Sequence, residues 1–104
     1  MNDERKPIQT LSDLSDKQRD QLVVDLLDFF QTDPRYPEAR PIRDLAGDTR
    51  FDVYTMTVLK EMVRSMARTG LLFRPPQAVT RDSRYLTTRE GRKMKEELLR
   101  KRGM

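Results

Sequence analysis

Apolar residues are sparse and follow no period over residues 1–14, MNDERKPIQTLSDL, where a proline also stands at position 7. This stretch reads as a flexible N-terminal arm, with ordering beginning late, at Leu11 and Leu14. The pattern changes at Ser15. Ser15-Asp16-Lys17-Gln18 is a capping box, in which the serine hydroxyl and the glutamine side chain satisfy free backbone N–H groups. The helix it opens is predicted to reach about Gln31. Leu22, Val23, Leu26, Leu27, Phe29 and Phe30 form a wide apolar face, and Asp20, Asp25 and Asp28 point elsewhere. Pro34, Pro37 and Pro41 then prevent the helix from continuing.

A second, two-turn helix is predicted over PIRDLAG, with Pro41 as its first residue. Ile42, Leu45 and Ala46 would face inward, and Gly47 would close it in the left-handed conformation. After the polar break Asp48-Thr49-Arg50, a third helix runs from about Asp52, its N-cap, to Thr69, and Gly70 ends it. Met56, Leu59, Met62, Val63 and Met66 cluster on one side of this helix, where methionine fills gaps in a core. Val53, Tyr54, Thr57, Lys60, Glu61, Arg64 and Arg68 fall on the other. Leu71, Leu72 and Phe73 read as a short buried strand, held to a sheet edge by Pro75 and Pro76. Ala78–Thr80 and Tyr85–Thr87 are expected to pair as a hairpin across Arg81-Asp82-Ser83-Arg84. Thr88 caps a last helix, about 89–102. Its apolar side is thin, Met94, Leu98 and Leu99, and needs the rest of the domain or a second subunit to pack on. The expected class is α+β, mainly α with a small β-hairpin, in the order α-α-α-β-β-α, as one domain over residues 15–104.

Composition narrows the chemistry. Charged residues make up 37% of the 104 positions and hydrophobic residues 36%, so the core is small. No apolar run approaches the roughly 20 residues of a membrane span, and no signal-peptide-like apolar stretch stands at the N-terminus. Cysteine and histidine are both absent, which excludes disulfides, thiolate zinc sites, cysteine catalysis and the usual general base. No nucleophile–base pair or carboxylate metal set is grouped along the chain. The expectation is a cytoplasmic, non-catalytic binding protein with no membrane, cofactor or metal site. Residues 1–48 hold 7 basic and 11 acidic residues, net −4, whereas residues 49–104 hold 14 and 6, net +8. A basic half of this kind suits an anionic partner, nucleic acid foremost. A solvated basic surface balanced by an acidic one would give the same totals.

Two segments carry a resemblance. Leu59 to Leu72, LKEMVRSMARTGLL, resembles the third helix of bacterial and archaeal winged-helix regulators, in which apolar positions recur before a glycine and two apolar strand residues. Arg84 to Leu99, RYLTTREGRKMKEELL, resembles their closing segment: an aromatic, then Leu-Thr-x-x-Gly, then an amphipathic helix. The MarR and PadR groups carry both at this separation, and the resemblance spans about residues 17–99. It implies a winged helix-turn-helix fold and sequence-specific binding of double-stranded DNA by a small transcriptional regulator, a homodimer by family habit. The third helix would enter the major groove, and the hairpin wing, about residues 71–87, would lie on the minor groove or the backbone.

The resemblance assigns roles by position. Tyr54, Thr57 and Lys60 would reach base edges, and Arg50 and Arg64 a phosphate or a guanine. Arg74, Arg81 and Arg84 would be the wing's contacts, with Arg89 and Arg92 adding backbone contacts from the last helix, which would also serve dimerisation. The competing expectation is a winged-helix module that docks a protein partner in an assembly, for which the acidic first half and the outward Glu61 speak. RNA is disfavoured because no aromatic platform for single-stranded bases is present.

Overall fold

The computed structural model describes residues 8, 10–33, 35, 38–76 and 83–102. Three α-helices, α1 (Asp16–Phe30), α2 (Met56–Arg68) and α3 (Arg89–Arg102), surround a small antiparallel sheet of β1 (Arg40–Pro41), β2 (Leu72–Phe73) and β3 (Arg84–Thr87). Short 3-10 segments at Leu11–Asp13, Ile42–Gly47 and Thr49–Phe51 fill the connections. The protein is thus mainly helical with a minor sheet, an α+β arrangement.

The capping box opens α1 as expected. Ser15 Oγ accepts from the Gln18 N–H at 3.1 Å, and the Ser15 N–H donates to Gln18 Oε1 at 2.9 Å. Leu22, Leu26, Leu27, Phe29 and Phe30 are buried and Val23 packs half-buried against the core, as expected, while Val24 is buried in addition. The reason is α3, which lies along the α1 flank carrying Asp20 and Val24 and pairs Lys101 with Asp20 at 3.7 Å. At the other end of α1 the terminal carbonyls need donors. Thr87 Oγ1 donates to the Leu27 carbonyl at 2.7 Å, and Arg40 donates to that of Phe29 at 3.1 Å while its guanidinium stacks 3.8 Å above the Phe29 ring. A cation at a helix C-terminus is also favoured by the helix dipole.

β1 has no counterpart in the sequence pattern. Two residues, one of them a proline, show no alternation, yet they pair on β3 with Arg40 opposite Tyr85 and Pro41 opposite Arg84. The expected two-turn α-helix is a 3-10 helix instead, preceded rather than begun by Pro41. Three residues per turn stack Ile42 and Leu45 inward and rotate Ala46 to solvent, so Ala46 is exposed, contrary to expectation. Nor is Gly47 left-handed: among the described residues only Gly70 has positive φ, +87°. Phe51, between the expected polar break and the expected cap at Asp52, is buried edge-on to Phe29 at 5.8 Å between ring centroids.

α2 begins at Met56, and its cap is Thr55, whose Oγ1 accepts from the Val58 N–H at 3.3 Å. Asp52 is excluded from that role because it ends the preceding turn in helical conformation, whereas a cap needs extended backbone. Ile8 imposes the extension by pairing in parallel with Tyr54: its N–H donates to the Val53 carbonyl at 2.7 Å and its carbonyl accepts from Thr55 at 3.0 Å. Ile8, Leu11 and Leu14 therefore pack on the core, upstream of the expected domain start at residue 15. Val58 joins Leu59, Met62, Val63 and Met66 in the core, while Met56 is only half-buried. The glycine stop behaves as read. The Leu71 N–H reaches the Met66 carbonyl at 2.9 Å and the Gly70 N–H that of Ala67 at 3.2 Å, the pair of bonds that a left-handed residue closes.

β3 is the central strand, in the order β1-β3-β2. Tyr85–Thr87 was expected to pair with Ala78–Thr80, which lies outside the described residues. Its described partners are β1 on one side and β2 on the other, with Leu72 opposite Thr87 and Phe73 opposite Leu86. Tyr85 and Thr87 point into the core. Thr88 Oγ1 accepts from the Gly91 N–H at 3.0 Å and caps α3 as expected. α3 then packs on α1 with Met94 against the core, leaving Leu99 43% exposed.

Candidate nucleic-acid interface

α2 buries Val58, Leu59, Met62, Val63 and Met66, so the opposite stripe, Thr57, Lys60, Glu61, Arg64 and Arg68, is exposed at helical spacing. Four of these five have the character expected of a nucleic-acid face. Glu61 is the exception and stands on the flank facing Leu11, where it shares a shallow hollow with Arg64, Ser65 and Arg68. On the other flank Lys60 and Arg64 meet the 3-10 helix and the sheet. There, with Ile42, Arg43, Met56, Ser83 and Tyr85, they line a hollow of about 250 Å³. Among its described lining residues three are cationic and none is acidic.

Of the expected contacts, Thr57, Lys60 and Arg64 share the exposed α2 stripe, and Arg74 is exposed just beyond β2. Arg81 lies outside the described residues. Arg84 is half-buried on β3, its Nη1 3.5 Å from the Ala39 carbonyl. It lines a separate hollow with Thr32, Glu38, Arg40, Arg43 and Asp44, where carboxylates offset the cations. Arg89 is exposed and Arg92 half-buried in the first turn of α3.

Two expected positions are placed differently. Tyr54 stands ahead of α2, half-buried against the core, with its backbone bridged to Ile8. Burial first, and the charge of Asp25 second, raise its phenol above the ordinary tyrosine value. Arg50 is held by carboxylates. It reaches Asp28 at 2.9 Å and Asp48 at 2.8 Å, and Asp28 also takes Lys95 at 3.1 Å. The Arg50 hydrogen bonds, ahead of all other causes, hold Asp28 and Asp48 below the ordinary aspartate value, and Arg50 itself is raised. This cluster ties α1, the turn before α2, and α3 together through the exposed Arg50 side chain.

The residues sequence reasoning missed are Arg43, Ser83 and Tyr85. Read on an α-helix, Arg43 has no fixed relation to Lys60. Only the 3-10 phase and the β1–β3 pairing, extended by the Ile42 N–H to the Ser83 carbonyl at 2.8 Å, bring these elements to one side of α2.

Among the described residues no group of three or more carboxylates is placed to hold a metal ion, and no helix is long and apolar enough to cross a membrane. Comparison with known proteins returns no matching family model, no matching curated protein and no matching solved structure.

Proposed function

We propose that this chain is a winged helix-turn-helix protein that binds double-stranded DNA as a small transcriptional regulator. In this reading α2 enters the major groove, and the segment between β2 and β3 is the wing, lying on the minor groove or backbone. One observation carries it: the exposed stripe of α2, Thr57, Lys60, Arg64 and Arg68, borders a hollow whose described charges are all positive. An α-helix fits the major groove, and cations beside it neutralise phosphates. The order helix, strand, 3-10 helix, helix, strand, strand, helix, with the last strand central, supports the fold assignment. MarR and PadR regulators are the family type that the sequence resemblance suggests.

Within this reading Thr57 and Lys60 read base edges, Arg64 takes a phosphate or a guanine, and Arg74, Arg81 and Arg84 serve the wing. Arg89 and Arg92 contact the backbone. Homodimerisation belongs to the proposal, with Leu99 the exposed apolar residue of α3. A second reading, docking of a protein partner, draws on Phe73, which is 50% exposed on β2. Selection of bound sequences from a random DNA pool tests the two together. A regulator enriches a motif with two-fold symmetry; a protein-docking module enriches none.

A further inference from the structure

The hollow between α2 and the sheet contains one group that a surface patch of cations does not need. Tyr85 is 5% exposed, and its ring sits 6.0 Å from that of Phe30 in the core. Its phenol makes no hydrogen bond to any described residue. Every buried polar side-chain atom among the described residues does have a partner. The Tyr85 hydroxyl therefore reaches solvent, and Tyr85 is one of the residues that line the hollow. At about 250 Å³ the space lies below the roughly 300–1,000 Å³ of pockets that enclose drug-sized ligands. It suits one compact anion with Lys60 and Arg64 on the helix side and a neutral donor, Tyr85, on the sheet side.

We propose that this hollow seats a single backbone phosphodiester of duplex DNA, with Tyr85 donating a hydrogen bond to it, and that this phosphate fixes how far α2 advances along the groove. The inference rests on the DNA-binding reading and specifies where the duplex is held. A tyrosine anchored in the core is a positioning group: its ring cannot follow a shifted strand, whereas lysine and arginine side chains can. Being neutral, it contributes to affinity without displacing a counterion.

The test is Tyr85→Phe, which keeps the ring in the core and removes only the hydroxyl. Binding of a random-sequence duplex, with each phosphate replaced in turn by an uncharged methylphosphonate, is followed by fluorescence anisotropy at several salt concentrations. The expected loss is about 3- to 10-fold for every sequence, the worth of one hydrogen bond, with the salt slope unchanged. Lys60→Gln instead lowers the slope by about 1. The methylphosphonate most damaging to the wild type costs Tyr85→Phe less. If duplex binds but Tyr85→Phe matches the wild type at every phosphate, this inference falls and the DNA reading stands. Failure of the wild type to bind duplex at low salt overturns both. Inorganic phosphate alone, titrated at constant ionic strength, provides the remaining arm. Saturable binding of that ion, lost in Tyr85→Phe, with no phosphate-specific effect in DNA, assigns the hollow to a free anion and overturns the proposal.

Discussion

The Thr88 hydroxyl lies 2.6 Å from the Gly70 carbonyl and 3.1 Å from that of Leu71, so the cap of α3 is bonded to the glycine turn that ends α2. The Thr-x-x-Gly signature therefore has a structural purpose. It joins the two helices end to end across β2, and the glycine completes the junction. A Cβ at Gly91 would overlap the Leu71 carbonyl oxygen and stand 2.9 Å from Thr87 Cγ2.

Gly91→Ala is expected to destabilise the fold by about 1–3 kcal/mol, the range of core overpacking, despite alanine's better helix propensity. Gly47→Ala should do the opposite. A Cβ there meets nothing within 4 Å and the backbone is not left-handed, so about 0.4–1 kcal/mol is gained through the unfolded chain. Urea denaturation of the two variants checks the contrast; equal effects would refute the junction's geometry.

Thr87→Val keeps the side chain's shape but removes the donor to the Leu27 carbonyl. That oxygen is left at a buried helix end, and the expected cost is about 1–3 kcal/mol. A two-state denaturation curve shifted by less than a few tenths would show that water replaces the bond.

Acid should weaken the Asp28–Arg50–Asp48 cluster. The Arg50 hydrogen bonds hold both carboxyls below the ordinary aspartate value when folded, so the folded state binds fewer protons than the unfolded one in the acid range. Their contribution is present above that value and is lost as pH falls through the folded values. Asp28 is 52% exposed, so solvent screening limits each pair to about 0–1 kcal/mol. Arg50→Gln should lower stability slightly at neutral pH and flatten the acid limb of the profile. Its affinity for DNA should stay that of the wild type, because Arg50 is held by Asp28 and Asp48. A large loss of DNA binding would return Arg50 to the interface.

Charge reversal at Arg74 and Arg84 tests the wing. Arg74→Glu, exposed and with no carboxylate partner among the described residues, should weaken duplex binding by about an order of magnitude or more and lower its salt slope. Arg84→Glu should have the smaller effect on binding, since Arg84 is half-buried beside Glu38 and Asp44. Gel-shift titration across salt distinguishes the two, and unchanged slopes for both would remove the wing from the interface.

Much of the framework is legible in the residues because local chemistry dictates it. Ser15 and Gln18 can satisfy each other only at a helix start, Gly70 tolerates the conformation that stops α2, and Thr88 caps α3. What escaped depends on tertiary pairing. β1 is too short for a period and exists because β3 offers it an edge. Asp52 has the chemistry of a cap but not the backbone, which Ile8 gives to Thr55. Ala46 turns outward because a 3-10 helix has a different phase from the α-helix that Pro41 and Gly47 suggested. The candidate interface divides in the same way. The exposed stripe of α2 follows from periodicity alone, whereas the hollow beside it needs Arg43, Ser83 and Tyr85, brought together from three segments.

The most direct test of DNA binding is the salt dependence of affinity for a random duplex, measured for the wild type and for Lys60→Gln/Arg64→Gln. Each phosphate neutralised contributes about 0.9 to the slope of log K against log salt. The account predicts clear binding at low salt, a steep negative slope, and a slope shallower by about 2 in the double variant. No retention of duplex by the wild type at low salt, or an identical slope in the two proteins, would contradict it.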